Sequence, residues 1–483
     1  MILAELFPYA NVVYNILTVL YVLTVLAVIV VVLSENRNPV KSMAWVLVLL
    51  LLPVLGLVIY LIFGRSLKGM SLISRSDLRE LRRLSDYDEK NIDLDLELSE
   101  SSLQLISLVN KLVNPHLFTG NDIRLFTSGQ EKFSALLNDI EAAQDYVHVQ
   151  YFIIENDAVG SQLIDLLKRK AQAGVQVRLL YDYVGSFYMR SRVLKDMRRA
   201  GIEVHPFLEV TPANVAFRIN WRNHRKIVVI DGKVGYLGGM NIAKRYVTGD
   251  KKWQAWRDTH LRITGEAVAA LQYSFAIDWN FTTRKLLTSP TMHYDTQPDR
   301  KDYIMQMMSS GPTNRWNNIS IVFLRAISLS TRRIYIQTPY FLPSDSLLKA
   351  LQSAALSGVD VRLMIPRRPD SSMLRLATGS YIKECLLSGM KIYFYEPTVM
   401  HAKVVIVDDE FVTTGSTNFD SRSFEHNFEF NTLVYSKQFN KKMSDTFEAD
   451  MNQCTRVSMG KWKKRPLVQK ALESVVRLIS PIL

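Results

Sequence analysis

The chain contains one short strand pattern twice, and this repetition constrains its fold more than any other feature. Residues 224–231 read HRKIVVID, and residues 401–408 read HAKVVIVD. The segments before the two motifs also correspond: AGVQVRLLYD at 173–182 matches SGVDVRLMIP at 357–366. Each copy has the pattern strand, helix, strand, shorter helix and strand pair. The sequence therefore predicts an α/β protein built from two similar α/β halves that lie side by side.

Two long apolar runs precede the repeats. Residues 11–33 and 43–64 contain no charged side chain, and about 20 such residues cross the roughly 30 Å hydrocarbon core as a helix. A signal peptide fits the first run poorly, because no Lys or Arg precedes it and no small-residue cleavage site follows. A pair of buried core helices is the other alternative, but two adjacent charge-free runs of this length are rare in soluble cores. The runs predict two transmembrane helices.

The distribution of basic residues predicts the orientation of these helices. The connection between them contains only Arg37 and Lys41, whereas the stretch after residue 64 is rich in Lys and Arg. These residues are Arg65, Lys68, Arg75, Arg79, Arg82 and Arg83. Since positive charge accumulates on the cytoplasmic side, we expect a multi-pass protein of the cell membrane with both termini and the large folded part in the cytoplasm.

These patterns divide the chain into six predicted regions. They are two transmembrane helices at 1–64, a charged connector at 65–115, the first half at 116–285, a linker at 286–302, the second half at 303–455, and a basic amphipathic membrane-associated tail at 456–483.

The charge and cysteine content restrict the partners and the compartment. A net charge of +13 among 483 residues predicts attraction to a polyanion, either nucleic acid or an anionic lipid surface. Cys385 and Cys454 form neither a CxxC pair nor a metal-binding spacing. A reduced compartment fits this pattern, and a disulfide-based scaffold does not.

The repeated motif suggests chemistry on a phosphate ester. Residues two apart in a strand share a face, so His224 lies with Lys226, and His401 lies with Lys403. A lysine supplies positive charge for phosphate oxygens, while a neutral imidazole can attack phosphorus. With two copies in one cleft, one histidine can attack as the other protonates the departing oxygen.

The aspartate of each motif has a different predicted task. Asp231 and Asp408 come seven residues after their histidines, an odd separation that directs them to the opposite face of a regular strand. Asp231 begins DGK and Asp408 begins DDE, both typical of turns. We therefore expect the two aspartates, although part of the catalytic motif, to stabilise the turns. No carboxylate cluster indicates a metal site, and we expect neither a metal nor another cofactor.

The motifs NHRKIVVIDG, LGGMN, HAKVVIVD and GSTNFDSRSF, together with the two apolar runs joined by ENRNP, resemble the bacterial cardiolipin synthases of the phospholipase D superfamily. The resemblance covers essentially the whole chain. It implies transfer of a phosphatidyl group between two phosphatidylglycerol molecules, giving cardiolipin and glycerol through a phosphatidyl-histidine. It also implies two phospholipase D-like halves related by a pseudo-twofold axis around one cleft.

The same resemblance implies roles for individual residues. His224 corresponds to the nucleophile and His401 to the general acid and base, although the pseudo-symmetry leaves this order open. Asn241 and Asn418 are expected to help hold the phosphate. Ser416 accompanies the second turn, where the first half has Gly239, so its hydroxyl is not required in both halves. Carboxylates that orient the imidazoles are expected at Asp258 and Glu429, and Arg422 is a candidate for a lipid phosphate.

Aromatic and basic residues near the C-terminus indicate membrane contact. The tail begins with Lys461, Trp462, Lys463 and Lys464 and ends with apolar residues at helical spacing. The latter are Leu472, Val475, Val476 and Ile479. This pattern predicts an amphipathic helix on an anionic membrane, with packing on the protein's own surface as the alternative. In KKWQAW, we also expect Trp253 and Trp256 at the interface, with packing within the protein as the alternative.

Other functions remain open from the residues alone. The same chemistry would serve a phospholipase D that transfers the phosphatidyl group to water, and also a nuclease of the superfamily. The apolar spans and basic tail favour an anionic phospholipid and the membrane as partners over nucleic acid. A scaffold with a decayed site is disfavoured because both motifs are intact. The sequence does not determine the oligomeric state.

Overall fold

The structure is a computed structural model that describes most of the chain. The described residues are 10–34, 39–52, 54–64, 67–84, 98–113, 117–189, 191–211, 219–249, 253–287 and 303–480. The chain divides into two compact units. One unit consists of Met1–Ser66 and Val210–Asn220, and the other of Leu67–Glu209 and Trp221–Leu483. Nearly all of the predicted linker at 286–302 lies outside the described residues.

The N-terminal unit begins with helix α1 (Ala10–Ser34). Among the described residues, one helix is long and apolar enough to cross a membrane, and it covers Asn11–Leu33 within α1. Most of its side chains face outward, as expected for a helix surrounded by lipid. An N-terminal membrane-compatible helix is therefore present.

The second predicted transmembrane helix, over 43–64, is not found as one helix of spanning length in the described part of the chain. Its sequence forms α2 (Pro39–Leu51), α3 (Leu55–Ile59) and a π-helical turn at Tyr60–Gly64. Immediately before α3, Val54 adopts a φ of 62°, outside the helical region. The second span stays a prediction.

The second unit is built on one large mixed sheet. Its strands are β1 (Phe118–Phe126), β2 (Tyr146–Tyr151), β3 (Gln176–Asp182), β4 (Glu203–Phe207), β5 (Arg222–Asn223), β6 (Ile227–Ile230), β7 (Val234–Gly238), β8 (His260–Thr264), β9 (Tyr303–Ser310), β10 (Arg333–Gln337), β11 (Phe341–Leu342), β12 (Asp360–Pro366), β13 (Lys391–Tyr395), β14 (Val404–Val407), β15 (Phe411–Gly415), β16 (Phe419–Asp420), β17 (Asn427–Tyr435) and β18 (Cys454–Arg456). β11 and β16 form a separate two-stranded sheet.

Strand order repeats on the two sides of the antiparallel β1–β9 pairing. Outward from β1 the order is β8, β7, β6, β2, β3 and β4, and outward from β9 it is β17, β15, β14, β10, β12 and β13. In each series the last three strands are parallel, and β6 or β14 runs antiparallel to its neighbour β2 or β10. The observed sheet is the mixed α/β arrangement that the repeated sequence predicts.

Helices cover the faces of the sheet, so its central strands are buried. They are α4 (Arg75–Leu84), α5 (Glu100–Val113), α6 (Gly129–Ala142), α7 (Ala158–Gln172), α8 (Ser191–Arg199), α9 (Lys244–Val247), α10 (Val268–Thr283), α11 (Asn318–Leu329), α12 (Asp345–Leu356), α13 (Ser372–Leu387), α14 (Ser421–Glu425), α15 (Lys437–Met451), α16 (Met459–Lys463) and α17 (Leu467–Ile479). Every residue of β2, β6 and β14 is buried, which explains their continuous apolar runs.

The predicted tail at 456–483 forms α16 and α17 on the second unit. Trp462 is buried, with its ring centroid 6.1 Å from that of Phe394, so it does not lie at the membrane interface as the basic cluster around it would suggest. α17 packs along α13 but leaves one apolar face exposed. The tail therefore combines the two alternatives that the sequence left open: it packs on the protein and remains amphipathic.

Candidate active site

The backbone of each motif histidine is hydrogen-bonded to a segment distant in the sequence. The backbone N–H of His224 donates to the carbonyl oxygen of Phe428 at 2.9 Å. The backbone N–H of His401 donates to the carbonyl oxygen of Arg257 at 2.7 Å. Both imidazoles are buried. The backbone thus fixes each histidine beside the segment of the other half that carries a predicted carboxylate.

Each imidazole contacts that carboxylate. His224 Nδ1 lies 3.0 Å from Glu429 Oε1, and His401 Nδ1 lies 2.6 Å from Asp258 Oδ2. A carboxylate that accepts the Nδ1 proton fixes the tautomer and leaves Nε2 with a lone pair for attack or proton transfer. The structure therefore brings each predicted histidine into contact with a predicted carboxylate that is more than 140 residues away in the sequence.

Burial controls the charge of the two imidazoles. Desolvation lowers the pKa of His224 to about 4, and Glu429 opposes this shift. Desolvation likewise lowers the pKa of His401 to about 4, with a further contribution from Lys403 and opposition from Asp258. Both rings are therefore neutral near pH 7, the state in which an imidazole nitrogen can act as nucleophile or base.

The two lysines occupy the same buried site. Lys226 Nζ donates to the carbonyl oxygen of His224 at 2.6 Å. Lys403 Nζ lies 2.7 Å from Nδ1 of His401 and also contacts that residue's carbonyl oxygen. Desolvation lowers the pKa of Lys226 to about 7 and that of Lys403 to about 8. Both pairs therefore combine a neutral ring with an adjacent amine whose charge is easily lost.

Electrostatic interactions connect the two pairs. The charge of Lys403 contributes to lowering the pKa values of both His224 and Lys226. In the reverse direction, the charge of Glu429, which contacts His224, partly opposes the lowering of the Lys403 pKa. Charges in a buried region of low dielectric constant are weakly screened, so each of these groups affects the ionisation of the others. The two His–Lys pairs consequently belong to one electrostatic site.

The glycine-rich turns differ in how they accommodate the carboxylates. A Cβ at Gly239 would lie 2.2 Å from Asp258 Oδ1, so the carboxylate occupies the space of a side chain. At the corresponding position of the second half, the hydroxyl of Ser416 donates to Glu429, and it accepts from the N–H of Phe430 at 2.9 Å. The Ser416 hydroxyl therefore contacts Glu429, whereas Asp258 lies against Gly239 without such a hydroxyl.

The two predicted phosphate-binding asparagines have different surroundings. Asn241 Nδ2 donates to the hydroxyl of Tyr246 at 2.9 Å, and its Oδ1 accepts from the N–H of Ile153 at 3.2 Å. Both ends of the Asn241 amide thus have a partner within the protein, and the contact of Asn241 with phosphate stays a prediction. Asn418 is also buried, and its Oδ1 has no hydrogen-bond partner among the described residues.

The motif aspartates lie at the far ends of their strands and bind backbone. Asp231 accepts hydrogen bonds from the N–H groups of Gln144, Asp145 and Tyr146, at 2.8–2.9 Å. Asp408 accepts in the same way from three successive N–H groups at 2.8–3.0 Å. These donors belong to Thr331, Arg332 and Arg333.

Both aspartates also have φ near 50°, a value typical of tight turns. This geometry supports the structural role inferred from strand parity, and the grouping of the two aspartates with the catalytic side chains stays a prediction.

Arg422 lies within a buried charge cluster that the sequence did not reveal. Desolvation lowers the pKa of the Arg422 guanidinium, while the charge of Asp420 opposes the shift and that of Arg222 adds to it. Arg222 Nη1 is 3.3 Å from Asp182 Oδ1. Asp182 is the last residue of β3. Because ligand-binding side chains often follow the carboxyl ends of parallel strands, this position could have indicated the cluster from the sequence.

The surroundings of His401 were also missed. The rings of Tyr246 and Trp256 lie 5.6 Å and 5.3 Å from its imidazole. Trp256 is only 7% exposed, so it packs against the site and does not reach the membrane interface as predicted. Within the described residues, no group of three or more His, Cys, Asp or Glu side chains is arranged to hold a metal ion.

Comparisons with known proteins agree with this geometry. A family described as "Cardiolipin synthase, PLD-like domain" matches residues 136–279 and 323–451, and one described as "Phospholipase_D-nuclease N-terminal" matches 22–65. The major cardiolipin synthase ClsA of Bacillus subtilis is 39% identical over 97% of this chain and 99% of its own length. The chain belongs to the cardiolipin synthase family.

Other relatives extend this assignment. A cardiolipin synthase of Listeria monocytogenes is 38% identical over 97% of this chain and 99% of its own length. The crystal structure of a phosphatidylserine synthase from Haemophilus influenzae has a TM-score of 0.60 at 16% identity, covering 80% of this chain and all of that one. The latter likeness shows the fold alone. As a member of the cardiolipin synthase family, the chain is a phosphatidyltransferase with a phospholipase D-like α/β fold.

Proposed function

We propose that this chain is a membrane-bound cardiolipin synthase that transfers a phosphatidyl group from one phosphatidylglycerol to another and releases glycerol. The observation that carries the proposal is the reciprocal pairing of His224 with Glu429 and of His401 with Asp258. This arrangement provides two oriented, neutral imidazoles in one electrostatic site. A transfer through a covalent intermediate needs both a nucleophile and a proton donor, and two such rings supply them.

In the first step, His224 Nε2 attacks the phosphorus atom of the donor lipid. Glu429 holds the Nδ1 proton, so the lone pair that forms the N–P bond is on Nε2. The P–O bond to the headgroup glycerol breaks, and protonated His401 gives its proton to the departing oxygen. The pKa of His401 is low in the free site, but the negative charge of the arriving phosphodiester favours its protonation.

In the second step, His401 acts as the base. It takes the proton from a headgroup hydroxyl of the second phosphatidylglycerol, whose oxygen then attacks phosphorus. The P–O bond forms as the P–N bond to His224 breaks, giving cardiolipin and restoring both rings. Lys226 and Lys403 stabilise the negative charge on the non-bridging oxygens in both steps. Asn418, whose Oδ1 has no partner among the described residues, and the Arg422 cluster are the remaining candidates for polar contact with the lipid.

The proposed architecture has two phospholipase D-like halves, at 116–285 and 303–455, related by a pseudo-twofold axis around one cleft. The equal strand order on either side of β1 and β9 supports it, as does the exchange of carboxylates between the halves. The proposed topology has two membrane spans within 1–64, a connector at 65–115 and a cytoplasmic catalytic part. The charge-free run in α1 and the basic residues that follow position 64 support it.

The decisive experiment is incubation of the purified full-length protein with labelled phosphatidylglycerol in detergent with EDTA. We expect cardiolipin and free glycerol in equal amounts. Phosphatidic acid as the sole lipid product would identify a hydrolase and overturn the proposed transfer. A dead reaction restored by a divalent cation would overturn the metal-free mechanism. His224→Ala, purified and assayed in parallel, controls for contaminating enzymes.

A further inference from the structure

Helix α17 docks on the protein through its polar side. Arg477 Nη1 lies 2.6 Å from Glu384 Oε1 of α13, and the hydroxyls of Ser480 and Tyr381 are 3.1 Å apart. Glu473 faces α13 at Gly379, where an added Cβ would lie 2.9 Å from the Glu473 carboxylate. The side of α17 that packs against the protein is therefore the side with the charged residues.

One buried ion pair, between Glu473 and Arg465, and the partly exposed pair between Arg477 and Glu384 hold α17 in this orientation. Glu473 is 3% exposed, and its carboxylate lies 2.7 Å from Arg465 Nη2 and 2.8 Å from Gln469 Nε2. The Arg465 guanidinium lies 3.8 Å from the ring centroid of buried Trp462. Turning the helix to bury its apolar face would leave these charges without partners, which is costly for buried ions. The outward direction of the apolar face is consequently built into the fold.

The outward face of α17 is an apolar stripe. Its residues recur along one side of the helix and are between about half and four-fifths exposed. They are Leu467 at 81%, Val468 at 71%, Leu472 at 48%, Val475 at 61% and Leu478 at 81%. A single exposed leucine needs no explanation, but a continuous row of five large apolar side chains marks a surface that binds a partner.

Basic residues border the start of this stripe. Lys461, Lys463 and Lys464 are exposed on the turn and short helix that precede α17. An apolar helix face flanked by lysines complements a lipid surface, in which anionic headgroups cover an apolar layer of acyl chains. That combination describes an anionic bilayer, whereas a second copy of this basic chain would bring further positive charge to the same place. We propose that the exposed face of α17 inserts into the headgroup region of an anionic membrane, as an attachment of the catalytic unit independent of α1.

The docking of α17 on α13 gives this attachment a functional consequence. Glu473 lies opposite Gly379 and Arg477 contacts Glu384, so α17 packs against α13. α13 begins at Ser372, two residues after Asp370, and the charge of Asp370 acts on the electrostatics of His401 and Lys403. Insertion of α17 would therefore hold the helix that follows Asp370 close to the lipid surface.

The test uses the full-length protein with an environment-sensitive fluorophore at Val475→Cys. Cys454→Ser removes the partly exposed native thiol, and Cys385 is buried. After reconstitution into vesicles that contain phosphatidylglycerol, we expect a blue-shifted emission that brominated lipids quench. The same label at Lys441→Cys on α15, an exposed position of the same unit, should report water. Because the readout needs no turnover, it is independent of the proposed transfer reaction.

Two results would overturn the inference. One is a label at position 475 that reports water and escapes quenching in vesicles with phosphatidylglycerol. The other is a blue shift that persists in lipid-free detergent and disappears on dilution, which would assign the face to a second copy of the chain. As a functional measurement, Leu472→Glu with Val475→Glu should raise the apparent KM for vesicular phosphatidylglycerol several-fold. Unchanged thermal unfolding in detergent would show that this double variant is folded.

Discussion

The site around His224 and the site around His401 share a plan but differ in detail. His224 pairs with a glutamate whose carboxylate is also held by Ser416, and Lys226 turns to the backbone. His401 pairs with the shorter Asp258, which occupies the space above Gly239, and the Lys403 amine lies against the ring itself. The two sets share a histidine, a lysine and a carboxylate but differ in the contacts around them.

This difference bears on which ring attacks. The Glu429 carboxylate, supported by Ser416 and Asn427, has both oxygens within 3.1 Å of His224 Nδ1 and is the one group that holds this nitrogen among the contacts described above, so Nε2 has a fixed direction. At His401, Asp258 and the Lys403 amine both approach Nδ1, and a single nitrogen cannot donate to one and accept from the other. The second ring therefore has contacts that can exchange as protons move, which suits an acid and base better than a nucleophile.

The largest expected effect comes from removing either imidazole. His224→Ala and His401→Ala should each abolish cardiolipin formation, with losses on the order of a thousandfold or more. A phosphatidyl ester of nitrophenol separates their roles, because its leaving group needs no protonation. We expect His401→Ala to give a stoichiometric burst of nitrophenolate and His224→Ala to give none, measured by stopped-flow absorbance.

The opposite pattern would contradict the assignment of roles. A burst in His224→Ala with none in His401→Ala would make His401 the nucleophile. The proteins should remain membrane-bound and folded, so retention in the membrane fraction and an unchanged thermal transition in detergent serve as the controls for both variants.

A smaller effect is expected from neutralising the carboxylates. Glu429→Gln and Asp258→Asn keep the shape of each side chain but remove the charge that orients the ring, and losses of about 10- to 100-fold in kcat are typical for such partners. If His224 alone requires a fixed direction, Glu429→Gln should slow the nitrophenolate burst, and Asp258→Asn should slow only the transfer to the acceptor lipid. Equal effects of both variants on the burst would remove the proposed asymmetry.

The sequence was sufficient for some of these features because they depend on local periodicity. Strand parity predicts that His224 shares a face with Lys226, although the structure has both residues between β5 and β6 and not within a strand. Asp231 follows β6, and its carboxylate accepts from the N–H of Tyr146 at the start of β2. The family assignment, based on the same motifs, is confirmed by the comparisons. Residues next to one another in a strand can be oriented from sequence alone, since the period of two leaves little freedom.

Features that depend on contacts between distant segments were not predictable in this way. Glu429 contacts His224 because β5 pairs with β17. Asp258 contacts His401 because Arg257 forms a β-bridge with Met400. Trp256 and Trp462 are amphipathic residues beside lysines, a pattern equally typical of interfaces and of partly polar cores, and both are buried. Similarly, composition revealed the apolar run at 43–64, but the break beside Pro53 needed the backbone.

The lysines provide a test based on pH. Burial lowers the pKa of Lys226 to about 7 and that of Lys403 to about 8, so both amines lose charge as the pH rises through this range. Because the charged form stabilises the phosphate oxygens, kcat/KM should be highest below these values and decline above about pH 8. The two amines interact, so the profile reports the pair. A flat profile up to pH 10 would show that their charge is not needed.

Substitution of the two turn aspartates should lower the stability of the protein more than its activity. Asp231→Asn and Asp408→Asn keep a residue that tolerates a positive φ but weaken three hydrogen bonds to backbone N–H groups. Each variant should lose about 1–3 kcal/mol of unfolding free energy, measured by denaturant titration in detergent. The folded fraction should keep near-normal kcat. A stable Asp231→Asn protein without activity would give that aspartate a direct part in the reaction.

The smallest expected effect concerns Ser416, the residue by which the two turns differ. Ser416→Ala removes one hydrogen bond to Glu429, but the carboxylate keeps its contacts with His224 and with Asn427 Nδ2 at 3.2 Å. We expect a loss of only a few-fold in kcat. Ser416→Gly, which recreates the first-half residue, is the matched variant and should behave alike. If either loss reached the size seen with Glu429→Gln, the hydroxyl itself would be what orients the carboxylate. The second turn would then be specialised for nucleophile alignment, a function that Gly239 cannot perform at His401.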